Sequence, residues 1–356
     1  MASVSFKRNV FVVTVVILVL ASTTSAEECE SKYGGKCHDK AKALKLKLVA
    51  ISSILVTSMV GVCLPVFSRA VPALQPDRDL FVLVKAFASG VILATGYMHV
   101  MPDSFQDLTS QCLPQRPWQN FPFTTFIAML SAVLTLMIDS FSISYFKKNL
   151  PLAPSLHAAE TKEAHMFAHA HAHAHAHAHA HGFGHHDDGA AVNAEQLLRY
   201  RVVAQVLELG IVVHSVVIGL SMGASDNPCT IRPLIAALCF HQMFEGMGLG
   251  GCILQAEYGM KVKAIMIFFF SVTTPFGIAL GIGVSKVYSD TSPTALIVEG
   301  VLNAVSAGLL NYMALVELLA SDFMGPKLQS RMKLQVFAYI AVLLGAGGMS
   351  VMAIWA

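Results

Sequence analysis

HSVVIGLSMG, residues 214–223, and HQMFEGMGLG, residues 241–250, decide how the rest of the chain is read. Aligned, the two stretches share His at the first position, Gly219 and Gly246 at the sixth, the small residues Ser221 and Gly248 at the eighth, and Gly223 and Gly250 at the tenth. Each reads as one ridge of a tightly packed helix, because glycines four apart let two backbones approach closely. Both lie in long apolar runs, so each helix carries an imidazole into a medium that solvates nothing, where a ligand or a protein partner must satisfy it. The pairing predicts that the two stretches wall a single metal site.

The composition sets the class. Of 356 residues 55% are hydrophobic and only 13% charged, with a mean hydropathy of +0.61; a soluble chain carries about a quarter charged residues. The chain reads as an all-α membrane protein. A net charge of +2 with no basic face or stripe excludes a nucleic-acid partner.

The first 26 residues carry Lys7 and Arg8, an apolar stretch over 10–21, and small residues over 22–26, the layout of a cleaved signal peptide; a short first span is the other reading. Cleavage puts residues 27–43 outside the cell, where disulfides form. Cys29, Cys37, Cys112 and Cys229 fall in segments assigned to that face, and their pairing is open. Cys63, Cys239 and Cys252 sit in apolar runs as buried small hydrophobes.

Eight apolar segments follow, near 44–67, 80–101, 122–145, 200–223, 232–254, 262–286, 295–319 and 334–356. Each is roughly 20 residues or more, enough to cross about 30 Å of hydrocarbon. The segments group as helices one to three within 44–146, a loop over 147–198, and helices four to eight within 199–356. With the signal peptide fixing the start and an even number of spans, both termini lie outside. Arg69, Arg78, Lys147, Lys148, Lys162, Arg199, Arg201, Lys261, Lys263, Lys327, Arg331 and Lys333 then face the cytosol, as positive residues tend to. The lysines between Lys32 and Lys47 oppose the rule, and the signal peptide is given precedence.

The long loop holds His165, His169, His171, His173, His175, His177, His179, His181, His185 and His186. Alternating Ala and His offers no apolar face, so the segment is expected to be disordered. Imidazoles on one side of an extended chain suit zinc, which gives a cytosolic metal buffer or sensor; repeat expansion with incidental affinity is the competing reading.

Depth ties the two opening stretches together. His214 lies nine residues below the outer end of the fourth span and His241 nine below the start of the fifth, so they are level. Glu245, one turn below His241, points the same way. Two imidazoles and a carboxylate form a borderline ligand set suited to Zn²⁺ and acceptable to Fe²⁺, Mn²⁺ or Cd²⁺. Ser215 and Gln242 supply weak oxygen ligands or orient the rings. His99 and Asp103, four apart at the outer end of the second span, read as a pair at the mouth or as a helix-end cap, with Pro102 loosening the last turn. Asp139 and Glu208, in the inner halves of their spans, read either as exit-side ligands or as acceptors for hydroxyls such as Ser140 and Ser142; Glu299 and Glu317 read as interfacial. Gly246, Gly248 and Gly251 fit G-x-G-x-x-G only formally, since no strand precedes them. They are packing glycines, and no phosphate loop is present for burning nucleotide.

These features together resemble the ZIP family of zinc and iron importers, most closely its plant zinc/iron-regulated branch. The resemblance runs from about residue 44 to 356 and includes AFASGVILATGYMHVMPDSF in the second span and SVTTPFGIALGIG in the sixth. It implies divalent-metal uptake into the cytosol without nucleotide hydrolysis, most simply of zinc at the plasma membrane. It also implies a 3+2+3 bundle in which the fourth and fifth helices are enclosed by three-helix repeats of inverted topology. By the same likeness His214, His241 and Glu245 match the central ligands, His99 and Asp103 residues on the outer side, and Asp139 one on the third span. The chain departs from members with a two-metal centre: Ser215 replaces Asn, Gln242 replaces Asp, Thr274 stands where they have Glu, and Ile218 replaces a Glu. One strong site is therefore expected, and two ions held together in the core would refute it.

No cofactor is implied; the metal is cargo, the bilayer is the other partner, and the sequence admits a homodimer. Because His ligands bind neutral, affinity should fall as pH drops through about 6.5. A membrane-embedded metal hydrolase is the rival class, needing an open metal position and a general base reachable by substrate.

Overall fold

The computed structural model describes residues 39–67, 78–149, 187–285 and 292–354. The leader over 1–26, Cys29, Cys37 and the histidines of the 165–186 stretch lie outside the described residues.

Eight long helices carry the described chain: α1 Lys40–Val66, α2 Asp79–Leu108, α3 Phe123–Asn149, α4 Asp187–Ala224, α5 Pro228–Gln255, α6 Met260–Val284, α7 Pro293–Phe323 and α8 Met332–Met352. Several start on local chemistry. The Asp39 carboxylate accepts from the Lys42 amide at 3.0 Å, Asn227 caps α5 ahead of Pro228, and Ser292 caps α7 ahead of Pro293. A polar cap satisfies an orphan amide, and proline at the first helical position has no amide to lose.

Two helices are not regular throughout. A π-helical turn interrupts α2 at Gly96–Val100, around His99, and a second interrupts α7 at Met313–Ala320, around Glu317. An extra residue in a turn re-aims the side chains it carries, which is why such turns collect at functional positions.

Seven of the helices are long and apolar enough to cross a membrane, and the protein is a multi-pass integral membrane protein. The eighth, α5, has the length, 28 residues, but its middle spends its hydropathy on His241, Gln242 and Glu245 and on glycines from 246 to 251. What covers those residues is protein. His241, Gln242, Glu245 and the run 248–254 are all buried. In α4 the most apolar window is 78% buried, whereas in α3 and α8 it is 28% and 22%, so α4 and α5 form the centre while α3 and α8 lie at the rim. Phe141, Leu343 and Leu344 project from the rim helices, an apolar exterior too extensive for water.

The main neighbours are α1 with α5, α2 with α7, α4 with α6, α2 with α8 and α3 with α7, and then α1 with α6, α2 with α5 and α4 with α7. Exchanging α1 with α6, α2 with α7, α3 with α8 and α4 with α5 turns every one of these pairs into another of them or into itself. Close contact between α4 and α6 and between α1 and α5 depends on glycine. A Cβ on Gly219 of α4 would lie 2.7 Å from the Thr274 carbonyl oxygen of α6, and one on Gly250 of α5 would lie 2.5 Å from the Val62 carbonyl oxygen of α1.

Contacts at the helix ends show that the chain alternates direction. At one end Lys40 and Lys47 reach Asp226 at 3.5 and 3.7 Å, near Cys229 and on the same end as Cys112. Both of these cysteines are disulfide-bonded, while Cys63, Cys239 and Cys252 are free. At the opposite end Arg331 grips Asp79 through both guanidinium branches, at 2.5 and 2.7 Å. Tyr258 there donates to the Arg201 carbonyl at 2.8 Å and accepts from Gln205 at 2.9 Å. Burial pushes its hydroxyl up to about 12, which keeps it a donor at any physiological pH.

Lys85 is buried at that basic end, 2.9 Å from Asp322 and 3.3 Å from the Gln255 side chain. Removing one partner of a buried pair leaves an uncompensated charge, at a cost of about 3–5 kcal/mol, against about 0–1 kcal/mol for an exposed pair. Asp322→Ala is thus expected to lower the melting temperature in detergent well beyond Asp79→Ala, whose ion pair is about half exposed on both sides; equal melting curves for the two variants would contradict the assignment.

Candidate metal centre

Three imidazoles meet where α2, α4 and α5 come together. The ring centroids of His99 and His214 are 5.8 Å apart, those of His99 and His241 5.8 Å, and those of His214 and His241 5.9 Å. The triangle is close to equilateral. His241 is wholly buried, and His214 and His99 nearly so. His99 therefore belongs spatially with the central pair, and the π-helical turn is what delivers it. The Asp103 carboxylate, 44% exposed, sits 4.0 Å from the Nδ1 atom of His99 on the side towards the disulfide end.

Glu245 is also wholly buried. The Thr95 hydroxyl of α2 lies beside it and gives its proton to the Val91 carbonyl at 3.0 Å instead. Neither Glu245 oxygen accepts a hydrogen bond, and both ring nitrogens of His214 and of His241, the Nε2 of His99, the amide nitrogen of Gln242 and the hydroxyls of Ser271 and Thr274 are in the same condition. Buried polar atoms are nearly always paired, since an unpaired one costs about 1–3 kcal/mol. A concentration of them in one core is the chemistry of a ligand site. Ser215 and Gln242 are buried one residue beyond the two histidines. Among the described residues no three His, Cys, Asp or Glu have their ligand atoms already gathered on one point.

The remaining acidic residues take places that hydropathy alone does not reveal. Asp139 on α3 accepts at 3.4 Å from the Tyr312 hydroxyl of α7. Glu208 is buried in α4. Glu299 and Glu317, expected at the interface, are 6% and 4% exposed, which corrects that reading. Glu317 is held by Arg199 at 3.3 Å and shares its surroundings with Asp139; Glu299 is buried, and its Oε1 accepts no hydrogen bond. Sequence reasoning placed both at the interface because each stands in an apolar run near a helix end. The available signal was the spacing of Glu299 and Asn303, four residues apart on one face of α7.

Comparison with known proteins gives a consistent result. The profile described as ZIP Zinc transporter matches residues 44–353. The chain is 63% identical over 349 residues to Fe(2+) transport protein 1 of Oryza sativa subsp. japonica, covering 96% of this chain and 93% of that one. It is 59% identical over 336 residues to Fe(2+) transport protein 1 of Arabidopsis thaliana, covering 94% and 93%, and 57% identical over 345 residues to Zinc transporter 7 of Arabidopsis thaliana, covering 94% and 92%.

Proposed function

Since this chain belongs to the ZIP zinc transporter family, we propose that it imports divalent metal ions, zinc or ferrous iron first among them, by passing them through a centre formed by His99, His214, His241 and Glu245. The observation that carries this is the imidazole triangle. Its centre lies about 3.4 Å from each ring centroid, so a ring nitrogen turned inwards would stand about 2.2 Å from an ion there, against about 2.0–2.1 Å for Zn–N. Rotation of side chains closes such a site without any helix having to move. Glu245 adds the charge that three neutral rings lack, and Ser215 and Gln242, each buried one residue beyond a histidine, would serve as weaker donors that orient the rings. Nothing in this set discriminates sharply between zinc and ferrous iron, because imidazole and carboxylate suit both.

The topology that fits is eight spans, with α5 crossing inside the bundle behind a cleaved leader. Two inverted repeats, α1 to α3 and α6 to α8, then flank α4 and α5, as the exchange of neighbours supports. Two disulfide-bonded cysteines at one end favour that end as the extracellular one. Arg199, Arg201, Lys261, Lys263 and Lys333 at the other favour the cytosol there. Both termini would lie outside, the plasma membrane would be the site of action, and the histidines of the 165–186 stretch would act as a cytosolic metal buffer. Ions reaching the triangle would leave past Asp139 and Glu317 once the Arg199 contact loosens.

Radiometal uptake in a transport-deficient cell tests the reading. Zinc and iron should each accumulate at least several-fold above vector controls, with each competing against the other. Uptake indistinguishable from the control for zinc, iron, manganese and cadmium alike would refute it.

A further inference from the structure

The π-helical turn that carries His99 meets one side chain of α7 at its first residue. That residue, Gly96, is buried, and a Cβ on it would run into the Asn311 Oδ1, with the Asn311 Cγ at 3.0 Å and Nδ2 at 3.5 Å. The absent side chain of Gly96 is thus the socket in which the amide sits. Asn311 is 7% exposed, and its Oδ1 accepts no hydrogen bond. A buried oxygen left unpaired is costly. An apolar side chain, such as Leu309 and Leu310 supply next to it, would fill space without that cost, so packing alone does not account for an amide here. What the oxygen faces is the Cα of Gly96, a close contact of the kind that recurs where helices cross.

The two sides of this contact differ in firmness. Ser104 of α2 donates to the Gly300 carbonyl of α7 at 2.7 Å, Ser131 of α3 donates to the Val305 carbonyl at 2.8 Å, and Ser306 donates to the Gly210 carbonyl of α4 at 2.9 Å. These cross-helix bonds fix the height and the rotation of α7 just ahead of Asn311. The turn it meets is looser. Pro102 leaves the Met98 carbonyl without its ordinary helical donor, and the Met101 amide reaches back five residues to the Gly96 carbonyl. We infer that Asn311 is a positioning residue for metal transfer: seated on Gly96, its amide holds the π-helical turn and so aims the His99 ring at His214 and His241. The inference rests on the transport reading above. Asn311 acts through Gly96 on His99, whose ring centroid lies 5.8 Å from each of the other two. A ligand held ready needs no reordering when the ion arrives, whereas one free to wander binds more weakly.

The test is initial-rate uptake of zinc against concentration, in the full-length chain, with surface protein quantified. Asn311→Ala should raise KM about ten-fold, the lower end of what losing an outer partner of a metal ligand costs, and leave the maximal rate within about two-fold. A purely structural role would instead lower the maximal rate or the amount of protein and leave KM alone, and that result overturns the inference. Should Asn311→Ala fail to reach the membrane, Asn311→Ser takes its place with the same expectation, and an unchanged KM there overturns it too. Gly96→Ala should also raise KM, and Gly96→Ala/Asn311→Ala should recover much of that loss, because the new methyl takes the room the amide gives up; a double variant no better than Gly96→Ala alone contradicts the socket. A second measurement avoids transport altogether. Purified protein is titrated with Co²⁺, which stands in for zinc and absorbs in the visible. Asn311→Ala should weaken binding about ten-fold in an otherwise wild-type chain and less than about two-fold in a His99→Ala chain. An equal loss in both would show that the residue does not act through His99, and the inference falls. His214→Ala distinguishes the failures. If that single variant abolishes uptake while Asn311→Ala behaves as wild type, only the positioning role falls; if it transports normally, the central reading falls first.

Discussion

Uptake of zinc and iron should collapse in His214→Ala, to a few per cent of wild type or less, with the protein still reaching the membrane in normal amount. The ring of His214 is one corner of a triangle with sides of 5.8 and 5.9 Å, and removing it takes away a third of the nitrogen donors. Losing even an outer-shell partner of a metal ligand commonly costs about 10–100-fold, so a direct ligand costs at least that. His214 also occupies an almost wholly buried position without hydrogen bonds, so replacing it by alanine removes two unpaired polar atoms from the core, which offsets the cavity left behind and keeps the protein folded. That separation of effects is the informative part, since loss of activity in a stable protein is hard to obtain from a packing residue. His241→Ala should behave alike, and Glu245→Gln should keep folding while losing the charge that offsets the dication. Ser215→Ala should cost far less, because a hydroxyl is a poor ligand beside imidazole. Wild-type uptake by His214→Ala would remove the centre from the pathway.

Much of this arrangement is legible in the chain. Counting nine residues from the ends of two apolar runs puts His214 and His241 at one depth, and their rings are 5.9 Å apart. Helix positions also follow from hydropathy, within a few residues at most ends, because a helix in hydrocarbon must satisfy its own backbone and announces itself by an unbroken apolar run. What hydropathy cannot report is rotation about the helix axis. Glu299 and Glu317 look interfacial by depth, yet both face inwards, because α7 turns one side to α2 and α3 and the other to α4. Nor does composition mark the π-helical turns at Gly96–Val100 and Met313–Ala320. Such a turn is a choice of hydrogen bonds; Pro102 was a partial cue, since a proline removes the bond to the carbonyl four residues back, that of Met98 inside the π-helical turn that carries His99. The deficit in apolarity that keeps α5 out of the seven membrane-competent helices is itself a signature. A helix wrapped by others needs no lipid-facing surface, so its residues can serve the site.

Gly219→Val is expected to be the most disruptive single change away from the ligands. A Cβ at that position would stand 2.7 Å from the Thr274 carbonyl oxygen, 3.0 Å from the Gly277 Cα and 3.0 Å from the Ile278 amide nitrogen. All three are backbone atoms, so no side chain can swing away and α4 and α6 must part. Overpacking of a well-packed core costs about 1–3 kcal/mol in most cases, and here the strain falls on the helix that positions His214 five residues earlier. Moving α4 away from α6 pushes it towards α2 and α5 and alters a triangle whose sides already match the reach of imidazole to a zinc-sized ion. Gly219→Val should therefore lower the melting temperature in detergent by several degrees and abolish uptake together, with Gly219→Ala intermediate in both. Gly283 on the same α6 supplies the control, since a Cβ there meets nothing within 4 Å. Gly283→Ala should melt and transport as wild type, because what α6 needs of glycine is the absence of a side chain against α4 and nothing about its own flexibility. If Gly219→Val melted like the wild type, the backbone contact between α4 and α6 would not be what holds the central helices in register.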